Sequence, residues 1–197
     1  MRLAKLLLSI IILTLVAIVW YQLSYSDKWE RLKYPLEFKA EIASASQKYS
    51  IDPYLIAAII YVESKFNPIS ESRAGAVGLM QIMPNTGIWI SKKQGTEFYP
   101  ADLKDPGVNI DMGTWYFNYL KHRYGSEKLA LAAYNSGYKN VDRWMEESQS
   151  SNVDDIIESI PYKETRDFIM RVEKVREIYA KLYPSGFKNL HENLSIR

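Results

Sequence analysis

Glu63 ends an almost unbroken apolar run, Pro53–Val62, and is followed by Ser64 and Lys65. A carboxyl at the inner end of a buried helix is desolvated, which raises its pKa. A carboxylic acid still protonated near neutral pH is what general-acid chemistry requires. The plainer alternative is a solvated glutamate at a helix end, paired with Lys65, since structural carboxylates outnumber catalytic ones. Other side chains capable of chemistry lie downstream. Gln81 falls in Gly78-Leu79-Met80-Gln81-Ile82-Met83-Pro84, Tyr134 and Asn135 in Ala133-Tyr134-Asn135-Ser136-Gly137, and Glu164 in Ile160-Pro161-Tyr162-Lys163-Glu164-Thr165-Arg166. Gln81 and Asn135 each offer a donor beside an acceptor, a match for hydroxyl and acetamido groups. Met80 and Met83 either wall off an acid from water or fill a core. Tyr134 is equally open between site and core, and Glu164 with Arg166 reads at least as well as a structural ion pair. Glycines at 75, 78 and 87 suit sharp turns or close backbone approach.

Composition removes several other chemistries. With 197 residues, 47% hydrophobic and 24% charged, the chain is ordinary globular material able to bury a core without staples. It has no cysteine, so disulfides, thiol catalysis and thiolate metal sites are excluded, while the compartment stays open. His122 and His191 have no acid or second histidine at ligand spacing, so no metal site is expected. A net charge of +2 does not announce a nucleic-acid binder. Fifteen tyrosines and five tryptophans suit carbohydrate faces, although core is their commoner use. Asn193-Leu194-Ser195 reads as a chance glycosylation triplet in a tail.

The elements that must hold these residues are helical. Leu36, Phe38, Ile42, Ala43 and Tyr49 suggest a helix ending near Ser50. Asp52-Pro53 is an N-cap followed by proline at the first helical position, opening a central helix that is apolar nearly all round. Asp105-Pro106 repeats the signal before a helix to about Tyr124, stopped by Gly125. Ser126-Glu127 opens another through Tyr134, ended near Gly137. Phe168, Val172, Val175, Tyr179 and Leu182 mark one face of a long last helix, closed by Pro184-Ser185-Gly186. No convincing alternating run appears; Phe98-Tyr99 suggests at most a turn or small ribbon. The fold class is all-α.

Four blocks in this order and spacing, Glu63-Ser64, Gly78–Pro84, Ala133–Gly137 and Ile160–Arg166, resemble the family 1 lytic transglycosylases, whose catalytic domain is lysozyme-like. The resemblance covers Leu36 to Tyr183. It implies Glu63 as the sole catalytic acid, with Ser72, Gln81, Met83, Tyr134, Asn135 and Glu164 lining or ordering the substrate site. Where the family commonly has tyrosine, two positions after Arg166, this chain has Phe168; a hydroxyl is lost and a ring kept. The implied substrate is the peptidoglycan glycan strand, cut between N-acetylmuramic acid and N-acetylglucosamine with formation of a 1,6-anhydromuramoyl end and no metal or organic cofactor. Glycoside hydrolases generally use two carboxylates; Glu71, Asp102, Asp105 and Asp111 stand outside the matching blocks. The alternatives are a muramidase on the same fold, a non-catalytic wall-binding or assembly module, and a tethered helical interaction domain. Cleavage at chain ends or internally would turn on loops such as Ser91–Pro100.

The N-terminus points to a membrane. Leu6–Leu23 carries no ionisable group except Tyr21, and as a helix it reaches about 27 Å against the ~30 Å of a bilayer core. Arg2 and Lys5 precede it, which places residues 1–5 in the cytoplasm; Trp20, Tyr21 and Tyr25 fit an outer aromatic belt. A cleaved signal peptide is the rival, with no good cleavage site in sequence. The expected organisation is 1–5 cytoplasmic, 6–23 anchor, 24–33 stalk reaching up to ~33–36 Å if extended, 34–184 catalytic domain outside the cytoplasm, and 185–197 tail, acting as a monomer.

Overall fold

The helix boundaries follow the punctuation of the sequence. The structure, a computed structural model, describes the backbone of residues 2–187, with side chains throughout except at 3, 4 and 22–27. His191 and the Asn193-Leu194-Ser195 triplet therefore lie outside the described residues. The chain divides into two compact units, Met1–Leu36 and Glu37–Arg197.

The first unit is one helix, α1 (Arg2–Lys33). The segment expected as a potentially extended stalk, 24–33, continues this helix, so it advances only about 15 Å at 1.5 Å per residue. Large apolar side chains from Leu6 to Trp20 are exposed along α1. Among the described residues no helix is long and apolar enough to cross a membrane, the side chains of this stretch being described only over 5–21.

The second unit is helical throughout: α2 (Lys39–Tyr49), α3 (Pro53–Ser64), α4 (Pro84–Gln94), a 3₁₀ turn (Pro100–Lys104), α5 (Pro106–Tyr124), α6 (Glu127–Ser136), α7 (Tyr138–Glu147), α8 (Val153–Ser159) and α9 (Lys163–Leu182). No strand forms among the described residues; Val77 makes isolated bridges with Glu71 and Ile82. Asp52 caps α3 by accepting from the Tyr54 amide at 3.0 Å, Asp105 caps α5 through Val108 N at 2.9 Å, and Ser126 caps α6 through Leu129 N. Residues Leu55–Tyr61 are buried along α3, which packs against α9. Tyr179 of α9 meets Tyr61 and Phe66 edge-on.

The segment 91–100, expected as a loop, is helical as far as Gln94; Gly95 then ends α4 in the left-handed region. Phe98 makes no ribbon. Its ring packs on Gly87, where an added Cβ would lie 2.6 Å from the ring tip. Arg176 of α9 ties two capped helix starts together, donating from Nε to Asp52 at 2.6 Å and from Nη1 to Glu127 at 2.7 Å. These groups are partly exposed, so water weakens the pairing. Arg176→Gln is expected to lower stability by about 1 kcal/mol, read as an earlier urea midpoint with an unchanged slope.

Candidate active site

Glu63 lies in the last turn of α3. Ser64 fastens that turn, its Oγ donating to Ile60 O at 3.0 Å and to Leu79 O at 2.8 Å, and Lys65 and Phe66 follow with φ of 54° and 64°. The chain thus reverses immediately after the acid. The Glu63 side chain is half-buried, and its pKa is pushed up to about 7: burial is the main cause, Glu164 adds to it, and Arg171 opposes it. The negative end of the α3 dipole also disfavours a carboxylate there. No hydrogen bond reaches the Glu63 carboxyl among the described residues. Nor is it paired with Lys65, whose ammonium stands over the Tyr61 ring, 3.7 Å from its centre.

The segment after α3 is held from α5. Asn109, fully buried, donates to Val77 O at 2.9 Å and Leu103 O at 2.8 Å and accepts from Met80 N at 2.7 Å. Gly78 makes this possible: its φ is +83°, and a Cβ there would fall 2.2 Å from the Asn109 amide nitrogen. Gln81, at φ +48°, turns its amide NH₂ back onto Ser70 O at 3.2 Å and Gly78 O at 2.9 Å. The Tyr134 hydroxyl donates to Met80 O at 2.8 Å, instead of pointing its proton at Glu63. Its pKa is raised by burial, then by the charge of Glu63, which sets the two groups within electrostatic reach.

The remaining expected residues divide. Met83 is exposed at 40%. Ser72 is engaged in its own turn, its Oγ accepting from Ala76 N at 3.0 Å. Asn135 Oδ1 accepts from Thr165 Oγ1 at 2.9 Å, joining α6 to the start of α9. Glu164 is exposed and acts on Glu63 through its charge. The structural ion pair between Glu164 and Arg166 does not form: Arg166 donates to the Ile160 carbonyl. Phe168 is buried, at 1% exposure. Of the other acids, Asp105 caps α5, Asp102 accepts from Tyr99 N, Asp111 accepts from Lys48 and Tyr49, and Glu71 is exposed.

Sequence reasoning missed three contributors. Asn109 is an amide set between the apolar Val108 and Ile110 near the start of α5, and that contrast was a readable signal. Arg171 lies one step from the apolar face of α9 and left no local sign. Trp89, Tyr116 and Tyr138 line, with Asn85 and Thr86, a groove of about 230 Å³, and the Tyr116 ring centre is 5.6 Å from that of Tyr134. Only the surplus of rings hinted at this wall.

The site so built has counterparts. The family model described as "Transglycosylase SLT domain" matches residues 41–157, and the chain belongs to this family. The soluble lytic murein transglycosylase of Escherichia coli (strain K12) is 33% identical over 165 residues, 78% of this chain and 25% of that protein. Membrane-bound lytic murein transglycosylase C of Actinobacillus pleuropneumoniae serotype 5b (strain L20) is 33% identical over 164 residues, 72% of this chain and 45% of that protein. The solved 70 kDa soluble lytic transglycosylase of Escherichia coli superposes with a TM-score of 0.72 at 32% identity, over 77% of this chain and 25% of that chain. The same enzyme has been solved in complex with bulgecin A, with the same scores. The chain therefore spans 25% to 45% of the length of these curated relatives.

Two outcomes test the geometry. Asn109→Ala strands two buried carbonyls and an amide N–H, so it should cost about 2–3 kcal/mol of stability in urea unfolding. Glu63 has a raised folded pKa, so the folded state holds its proton longer than the unfolded state does. Its contribution to stability is therefore present below pH 4.5 and is lost as pH rises toward about 7. Glu63→Gln should unfold later than the parent at pH 8, with the advantage vanishing near pH 4.

Proposed function

We propose that this chain is a peptidoglycan lytic transglycosylase with Glu63 acting first as acid and then as base. The observation that carries the reading is the Glu63 carboxyl itself, half-buried in the last turn of α3 with no hydrogen-bond partner among the described residues, where burial pushes its pKa up to about 7. Protonated Glu63 donates to the oxygen linking N-acetylmuramic acid to N-acetylglucosamine, and the C1–O bond breaks as oxocarbenium character develops. The electron pair of that bond leaves with the departing sugar, which keeps the donated proton as its new hydroxyl. The Glu63 carboxylate then takes the proton of the muramoyl C6 hydroxyl, whose oxygen closes on C1 of its own ring. The nucleophile is tethered, and effective molarities of ~10⁵ M support such a closure without water.

In this reading Gln81, Met83, Asn135 and Ser72 line the substrate path, Tyr134 fixes the Met80 carbonyl at its edge, and Glu164 helps keep Glu63 protonated. The aromatic wall of Trp89, Tyr116 and Tyr138 offers ring faces to sugars. Residues 6–23 serve as a membrane anchor, with 1–5 cytoplasmic and 34–184 the catalytic domain facing the wall as a monomer. The exposed apolar side chains of α1 support this, as does the match to a relative named membrane-bound.

Digestion of purified peptidoglycan by the full chain, read by mass spectrometry, tests the reaction: 1,6-anhydro ends are expected, and reducing ends would make the chain a muramidase. Glu63→Gln should slow release about 10²–10⁴-fold; a variant as active as the parent removes Glu63 from the chemistry. Because the acid must carry its proton, kcat/KM should hold below pH 7 and decline as pH rises through about 7.

A further inference from the structure

Tyr138 borders the aromatic groove and is held there by residues that do not line it. It is the first residue of α7, directly after Gly137, whose φ of +86° turns the chain out of α6. No side chain caps α7; its start is fastened instead from the end of α5. The Tyr124 hydroxyl, 2.8 Å from Asp142 Oδ1 and 3.0 Å from the Tyr138 carbonyl, shares its one hydrogen between them. Arg123 grips the same carboxylate with two nitrogens, Nη2 to Oδ2 at 2.7 Å and Nε to Oδ1 at 3.4 Å. Its guanidinium carbon also lies over the Tyr138 ring, 5.3 Å from the centre. Asp142 stands one helical turn beyond Tyr138, on the same face of α7, so a single arginine serves both.

Stability does not account for this clamp. Arg123 and Asp142 are both about a third exposed, and ion pairs so placed contribute little to folding. What the clamp does is restrain a ring that is 41% exposed and would otherwise change rotamer within about nanoseconds. That ring shares a groove of about 230 Å³ with Asn85, Thr86, Trp89 and Tyr116. Ring faces beside an amide and a hydroxyl suit a sugar, whose C–H faces meet the rings while its hydroxyls meet Asn85 and Thr86. The other two rings are fixed by ring contacts: Trp89 meets Trp115 and Tyr119 with centres 5.7 and 5.1 Å away, and Tyr116 meets Tyr134 at 5.6 Å. What those rings do for Trp89 and Tyr116, Arg123 does for Tyr138.

We propose that Arg123 is a positioning residue: braced by Asp142 and Tyr124, it fixes the Tyr138 ring as one wall of a sugar-binding groove. The identity of the ligand, a glycan strand, rests on the reading of the preceding subsection. The groove connects to the acid through two side chains. Tyr116 meets Tyr134, whose hydroxyl bonds the Met80 carbonyl next to the Leu79 carbonyl that holds Ser64. A sugar seated in the groove therefore belongs to the strand being cut, and Arg123 acts on it only through Tyr138. A ring set before the strand arrives has little freedom left to lose on binding. The clamp thus strengthens the hold on the strand and leaves the chemical step alone.

The test uses the full chain in detergent with purified, peptide-stripped glycan strands. Affinity is measured by calorimetry in the Glu63→Gln background, turnover in the active chain, and the urea midpoint of each variant confirms that folded proteins are compared. Arg123→Gln should weaken binding about threefold to fivefold and raise KM by the same factor, with kcat unchanged. Tyr138→Ala should weaken binding about tenfold, and Tyr138→Phe, which keeps the ring, less than about twofold. Adding Arg123→Gln to Tyr138→Ala should change nothing further, because the arginine then has no ring to hold. Unchanged affinity in Arg123→Gln overturns the proposal, as does an equal loss from that substitution with and without the Tyr138 ring, or a Phe variant as weak as the Ala variant. Strand binding that follows these ratios in a chain releasing no 1,6-anhydro ends leaves this inference standing and overturns the reaction proposed above. A chain that binds no glycan overturns both.

Discussion

The site depends on one buried amide. Asn109 satisfies one carbonyl and one N–H of the segment between α3 and α4 together with the Leu103 carbonyl of the 3₁₀ turn, all three within 2.9 Å, in a place no water reaches. A side chain with both a donor and an acceptor is the only kind that meets this demand, and a glycine at 78 is the only residue thin enough to lie against it. Once that segment is set, Leu79 O accepts from Ser64 and Met80 O from Tyr134. The last turn of α3 and the end of α6 are thereby registered against the same stretch of backbone. The position of Glu63 is a result of that registration more than of any bond to its own carboxyl.

The acid itself is balanced between opposing influences. Burial in the lee of an apolar helix favours the neutral form, the helix dipole works in the same direction, and Glu164 adds a like charge. Arg171 alone among the causes pulls the other way. A group so balanced responds to small changes in its neighbours, which distinguishes it from the capping acids Asp52 and Asp105, whose carboxylates are committed to backbone amides.

What could be read in the residues follows from how local each cause is. Asp52-Pro53, Asp105-Pro106 and Ser126-Glu127 announce helices because a cap is a short-range device, and α3, α5 and α6 begin where those signals stand. The helix α7 buries only Val141 and Trp144, its apolar spacing Tyr138, Val141, Trp144 and Met145 being helical but confined to ten residues, and α8 is a single short stretch around Ile156, too brief to show a period. Gly87, read as a sharp turn or a close approach, makes no turn: it lies within α4 and admits the Phe98 ring. At the site, the apolar run before Glu63 made its burial legible. The true partners of Tyr134, Asn135 and Arg166 were not, because each bonds across the fold to a residue whose nearness only packing creates.

The carboxamide of Gln81 carries a further consequence. Both hydrogens of its NH₂ are committed to the carbonyls of Ser70 and Gly78, so the group cannot flip without breaking two bonds. It therefore presents the outside world with a lone-pair face and nothing else. A ligand atom meeting it must bring a hydrogen; an ether or carbonyl oxygen would meet like partial charge. An amide that in isolation speaks both ways has been turned by its own backbone into a reader of a single polarity.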